Sequence, residues 1–334
     1  MPLLILTYFS LHRALYLYII HNRVYGFATK IALNKLYCLR CLKKVKLQMI
    51  SQSKIKERGM LMSQETHNPK SAGQGNIPKS TNPYGSIEHV VAVMSGKGGV
   101  GKSSVTALLA TWLKERGYKV GILDADITGP SIPKLFGVKG KAKSREGALL
   151  PAVTAKGIGI MSINLLMDKE DQPVIWRGPL ISGVVKQFYE EVDWGDLDFL
   201  MVDLPPGTGD APLTVMQFLP LDGVVVVTSP QELVGLIVRK AIHMARMMNA
   251  PVLGFVENMS YLTCPGCGEV IELFGPSKGK RVEEETGIPF LGSLPLIPDI
   301  AQLGDEGRIE LVHHLYPDFF DSVAQRFMEQ FKLI

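Results

Sequence analysis

The chain has 334 residues, 46% of them hydrophobic and 20% charged, enough apolar material for a core that needs no disulfide staples. Its net charge of +4 hides an asymmetry: residues 1–59 hold eleven Lys/Arg against one acid, and the other 275 residues hold 25 bases against 31 acids. The acidic bulk argues against a broad nucleic-acid-binding face, and 33 Gly with 21 Pro exclude a collagen-like or low-complexity chain.

The first sixty residues differ from the rest. Residues 1–20 are apolar and aromatic, but His12 and Arg13 interrupt them. The run before Arg13 is short of the roughly twenty residues that span a bilayer, so no stable membrane insertion is expected. No small-residue cleavage site follows, which disfavours a signal peptide. Three readings stay open for residues 1–61: a translated upstream region with the start at Met60 or Met62, a basic surface or targeting helix, or an extra domain. Residues 62–86 read as a flexible linker. The expected layout is therefore 1–61 leader, 62–86 linker and 87–334 a folded domain.

From residue 87 strand and helix alternate. Val90–Met94 reads as a buried strand ending in glycines, and Ser103–Arg116 as a helix closed by Gly117. Further strands are expected at 119–123, 157–165, 198–203, 223–229, 252–257 and 289–294. Helices are expected at 180–190, 231–248 and 277–286. Strands joined by crossover helices predict an α/β fold, a mainly parallel sheet with helices on both faces.

The turn after the first strand is Gly96-Lys97-Gly98-Gly99-Val100-Gly101-Lys102-Ser103-Ser104. It fits the phosphate-loop pattern G-x-x-x-x-G-K-[ST] in its strand–loop–helix setting. Backbone N–H groups and the helix N-terminus would cradle phosphates. Lys102 would reach the β/γ-phosphates, and the Ser103 hydroxyl would ligate Mg²⁺. Lys97 is a second lysine that could act across a dimer interface. Asp124 and Asp126 end the second strand, and Asp203 ends Phe199–Val202 as in a Walker B strand, expected to hold Mg²⁺ through water. Gly207–Asp210 follows as a flexible switch. Together these predict an ATPase.

The cysteines fall in two pairs, Cys38/Cys41 and Cys264/Cys267, too few for a secreted scaffold and pointing to a reducing compartment, the cytoplasm. The first pair lies in the anomalous leader and is taken as accidental. Cys264-Pro265-Gly266-Cys267 is a tight knuckle that offers two thiolates. A tetrahedral zinc site or a 4Fe–4S cluster needs four ligands, and a two-fold dimer supplies them.

These segments, with Trp176-Arg177-Gly178-Pro179, Asp203–Asp210 and Glu257-Asn258-Met259-Ser260, resemble the Mrp/ApbC family of P-loop ATPases, iron–sulfur cluster carriers related to MinD. The resemblance runs from about residue 90 to 305, whereas residues 1–86 do not resemble the small N-terminal domain of many bacterial members. It implies slow ATP hydrolysis by a homodimer that bridges a 4Fe–4S cluster and delivers it from cluster donors to apo iron–sulfur proteins. It also implies that Lys97 acts in trans, Asp126 positions the attacking water, Asp124 and Asp203 serve the Mg²⁺ shell, Asn258 bonds adenine, and the 294–298 loop flanks the base. Arg177 receives no role. Two other readings stand beside it: a MinD/ParA-type positioning ATPase, and an ATPase chaperone bridged by zinc. Phe320, Val323, Phe327 and Phe331 at helical spacing, with a charge sum of −1 nearby, favour core packing of the C-terminal tail over membrane binding. Met244, Met247 and Met248 read as core.

Overall fold

The computed structural model describes residues 81–127, 129–145, 147–167, 178–230, 234–264 and 266–331, with only the backbone of 178–182. The leader, Cys38, Cys41, Trp176 and Arg177 lie outside these residues. Eleven strands are described: β1 (Ile87–Ser95), β2 (Val120–Asp124), β3 (Lys143–Arg145), β4 (Ala148–Leu150), β5 (Ala152–Val153), β6 (Gly159–Met161), β7 (Leu197–Asp203), β8 (Gly223–Thr228), β9 (Val252–Thr263), β10 (Val270–Ile271) and β11 (Phe290–Pro295). The helices are α1 (Lys102–Glu115), α2 (Ile132–Leu135), α3 (Gly178–Glu190), α4 (Asp210–Phe218), α5 (Val234–Met247), α6 (Gly279–Thr286), α7 (Pro298–Asp305), α8 (Val312–Leu315) and α9 (Asp321–Phe331).

Nine strands form one sheet in the order β10-β9-β8-β1-β7-β2-β6-β5, with β11 also on β9. Every pairing from β6 through β9, and that of β11, is parallel; β5 and β10 add antiparallel edges. Beyond this sheet, β3 and β4 form a separate hairpin. The expected mainly parallel α/β sheet is the observed fold.

The β1 sequence is apolar on both sides because helices cover both faces. Val91 and Val93 pack with Val105, Leu109 and Leu113 of α1 and Val323 and Phe327 of α9. Val90, Ala92 and Met94 pack toward Val185, Val215 and Val238, from α3, α4 and α5. Alternate side chains of one strand therefore enter two separate cores. The tail helix is core, as its spacing predicted: Phe320, Val323 and Phe327 are fully buried. Asp321 ties α9 to α1 by accepting from Trp112 Nε1 at 2.6 Å and Arg116 at 2.9 Å. Met244 is core, but Met247 is exposed, because it falls on the outer side of α5.

Two strand expectations change in length. The 157–165 run pairs with β2 only at Gly159–Met161, then turns into a 3₁₀ segment at Ile163–Leu165. The turn comes where Ser162 bonds Asp124 instead of continuing the ladder. Strand β9 runs on past Glu257 to Thr263, because β11 and β10 pair with its second half. The domain's contacts begin ahead of β1: Asn82 Nδ2 donates to the carbonyls of Tyr189 and Val192. Among the described residues no helix is long and apolar enough to cross a membrane.

Phe327 lies at 0% exposure and its ring meets those of Phe199 and Phe331. Phe327→Ala is expected to cost about 3–5 kcal/mol of folding stability by cavity formation, measured by denaturant unfolding.

Candidate functional site

Four segments converge at the C-terminal edge of the sheet. Parallel register aligns Val93 with Asp203 and Asp203 with Asp124, so the end of β1 opens the phosphate loop beside both carboxylates. Gly101 has φ +83°, and a Cβ there would lie 2.2 Å from Asn258 Nδ2. Only glycine permits both the left-handed backbone and that approach. Asn258 Nδ2 donates to Val100 O at 2.9 Å, which fixes the loop against β9.

Lys102 Nζ is buried and stands 2.7 Å from Asp203 Oδ2 and 3.9 Å from Asp126 Oδ2. Ser103 Oγ donates to the same Asp203 Oδ2 at 2.6 Å, and Thr106 Oγ1 lies 2.9 Å from its Oδ1. Asp124 is fully buried and accepts from the Asp126 N–H, the Ile132 N–H and Ser162 Oγ. Burial first, then the negative charge of Asp203, pushes its carboxyl up to about 8, against the opposing pull of Lys102. Three carboxylates and one ammonium leave the site short of positive charge, and its donors are hard oxygens. Hard oxygens are the donors Mg²⁺ takes, and Ser103 Oγ and Asp203 Oδ2 are the pair that lies beside Lys102.

Lys97 is exposed at the loop's outer side, and its carbonyl accepts from Ser95 Oγ. Beside the loop opens a cavity of about 270 Å³, lined by Ser104, Asn258, Met259, Pro295, Leu296 and Ile297 among others. The 294–298 segment thus borders an apolar slot next to Asn258. Ser162 and Thr106 were missed in the sequence; each is a hydroxyl near a strand or helix terminus that faces a motif carboxylate, and only the sheet register reveals it.

Cys264 and Cys267 stand apart from this cluster, at the turn joining β9 to β10. Gly268 N–H donates to Cys264 O and Cys264 N–H to Glu269 O, closing the knuckle. Both thiols are free, Cys267 exposed and Cys264 partly so. The N–H groups of Gly266 and then Cys267, followed by the Cys267 side chain, hold the Cys264 thiol below its usual range. Among the described residues no group of three or more His, Cys, Asp or Glu could hold a metal. The knuckle offers two ligands and no third among the described residues.

A phosphate loop on β1, a strand-end carboxylate on β7 and this sheet order define a P-loop NTPase. The family model described as NUBPL iron-transfer P-loop NTPase matches residues 86–329. An iron–sulfur cluster carrier protein of Clostridium perfringens is 46% identical over 235 residues, 68% of this chain and 82% of the relative. The cytosolic Fe-S cluster assembly factor CFD1 of Kluyveromyces lactis is 40% identical over 242 residues, 70% of this chain and 86% of the relative. A nucleotide-binding protein from Archaeoglobus fulgidus, solved in complex with ADP and with cobalt found by PIXE, aligns at TM-score 0.63 and 48% identity, covering 70% of this chain and 91% of that one. The Pyrococcus furiosus cell division ATPase MinD shares the fold at TM-score 0.52 but only 19% identity, over 74% of this chain and all of its own. The chain belongs to the iron-transfer P-loop NTPases, within the iron–sulfur cluster carriers and assembly factors.

Asp124 gives a pH test. Its folded value of about 8 exceeds the ordinary 3.8, so between these limits the folded state binds the proton that the unfolded state has lost. Its contribution is full below 3.8 and is lost as pH rises toward 8. In metal- and nucleotide-free buffer, the Tm of Asp124→Asn relative to wild type should therefore climb across that interval. A difference that is flat with pH would contradict the assignment.

Proposed function

We propose that the chain binds and slowly hydrolyses ATP and, as a homodimer, carries a 4Fe–4S cluster between its cysteine knuckles to apo iron–sulfur proteins. The observation that carries this reading is the pair of free thiols, one exposed and one partly so, with no third ligand grouped with them among the described residues. Two such knuckles about a two-fold axis supply the four thiolates of one cluster. The cluster is cargo, so its ligands must be reachable by donor and recipient.

The nucleotide chemistry follows from the buried cluster. Gly96–Ser104 supply backbone N–H groups to the phosphates, and the adenine enters the slot beside Asn258. Lys102 leaves Asp203 for the β/γ-phosphates, exchanging one anionic partner for another. Mg²⁺ at Ser103, Asp124 and Asp203 neutralises phosphate charge when bound. Asp126, at the phosphate side of Lys102, orients the attacking water. Lys97, exposed on the loop, reaches the phosphates of the partner subunit's nucleotide.

Lys102→Ala should lower turnover by on the order of 10²–10³ or more, since it removes a direct charge partner of the transferring phosphoryl group. Asp126→Asn should bind ATP with little change yet hydrolyse it poorly, because placing the water matters only in the transition state. Phosphate release and nucleotide binding, measured side by side, separate the two. Near-native turnover in Lys102→Ala would refute the loop assignment.

Anaerobic reconstitution with iron and sulfide tests the cargo. One 4Fe–4S per two chains is expected, with loss in Cys264→Ala and in Cys267→Ala and with ATPase activity retained in both. Four irons per chain in a monomer would refute bridging. Tightly held zinc that iron and sulfide do not displace would mark a structural metal instead.

A further inference from the structure

One buried carboxylate takes no part in the nucleotide chemistry. Glu257 lies at 0% exposure on β9, next to Asn258. A carboxylate so deep needs donors. Its Oε2 accepts from Ser260 Oγ at 3.0 Å and Ser293 Oγ at 3.4 Å. Its Oε1 is equally buried and has no hydrogen-bond partner among the described residues. Ser293 Oγ is in turn 3.3 Å from Ser277 Oγ, which accepts from the Gly279 N–H at the start of α6.

The backbone beside Glu257 is bulged. Glu257 pairs with Ser293 and Tyr261 with Pro295, so β9 spends four residues where β11 spends two. Within the bulge Met259 has φ +58°, a left-handed conformation that side chains seldom adopt. Ser260 Oγ closes the turn, lying 2.8 Å from Glu257 O as well as 3.0 Å from its carboxylate.

Three segments therefore meet at this residue. Asn258 bonds the phosphate loop at Val100 O, and Met259 lines the cavity beside it. The outgoing arm of the cysteine hairpin is held through Ser260, a single turn of chain before Cys264. The returning arm is held through Ser277 and Ser293. We propose that Glu257 is a positioning residue that couples the phosphate loop to both arms of the cysteine hairpin, with the strained Met259 bulge as the element that yields. Nucleotide entry that shifts the Val100–Asn258 contact then changes the setting of Cys264 and Cys267. This inference rests on the proposed nucleotide and cluster roles.

The test is the alkylation rate of Cys264 and Cys267 by iodoacetamide in the cluster-free full chain, with and without a non-hydrolysable ATP analogue and Mg²⁺. Hydrolysis and iron–sulfur loading are measured on the same preparations. In wild type the rate should change at least about fivefold with nucleotide, the lower end of ordinary coupling between sites. Glu257→Ala should lose that response while keeping nucleotide affinity and turnover. Glu257→Gln, which still accepts from both hydroxyls, should keep it. If Glu257→Ala does not fold, Ser260→Ala and Met259→Gly replace it, and both should weaken the response. A wild-type rate indifferent to nucleotide, or a folded Glu257→Ala or Ser260→Ala with the full response, overturns the coupling. A wild type that hydrolyses no ATP or loads no iron and sulfide fails earlier, at the proposed function itself.

Discussion

The ammonium of Lys102 is out of water, and that fact organises the molecule. A buried cation is tolerated only against an anion, and Asp203 stands 2.7 Å away. The pairing requires β1 and β7 to be neighbours in parallel register, with Val93 opposite Asp203. A slip of one residue would turn Asp203 into a helix-covered apolar face and leave both charges unpaired. The register of β2 on β7 is bound by the same need, since it sets Asp124 beside Asp203. The two-sided core of valines and leucines then reads as the frame that holds three strand ends level.

The arrangement is also electrostatically incomplete. Asp203 spends both oxygens on Lys102, Ser103 and Thr106, and Asp124 spends its own on two backbone N–H groups and Ser162. Burial and the neighbouring charge of Asp203 both raise the Asp124 carboxyl, which disfavours a further negative charge in the cluster. Bringing phosphates in adds negative charge to a site already rich in it, so entry is expected to depend on a divalent cation. The same low-dielectric surroundings that raise Asp124 would strengthen every bond to a phosphoryl group in the proposed transfer.

The sequence carries the parallel sheet, the phosphate loop and the strand-end acids because each is local: a strand, a glycine turn and a helix in direct succession, or four apolar residues and an acid. The cysteine knuckle is local for the same reason. What it does not carry is whatever depends on register between distant segments. Ser162 faces Asp124 only because β6 lies on β2, and Thr106 faces Asp203 across the P-loop. The bulge at Met259 has no glycine to announce it, since a methionine is held at positive φ by Ser260 and Glu257. The short antiparallel pieces β3, β4, β5 and β10 are two or three residues long and have no period to detect.

The two chemistries ask opposite things of their surroundings. Phosphoryl transfer needs a dry, fixed cluster, and the phosphate loop sits where α1, β7 and β9 exclude water from Lys102, Asp124 and Asp203. In the proposed role, cargo needs ligands that can be met from outside, and the cysteine turn projects from the sheet edge with Val270, Ile271, Leu273 and Phe274 exposed beside it. Exposed apolar side chains around two thiols are what a second surface would cover in closing over the proposed cargo. Strand β9 reaches both places: Asn258 is locked to the loop, and Cys264 directly follows the strand's last residue, Thr263. A carrier with its cargo ligands on a separate, flexibly tethered segment would have no route for nucleotide state to reach them. A continuous strand with one strained bulge is the route proposed above.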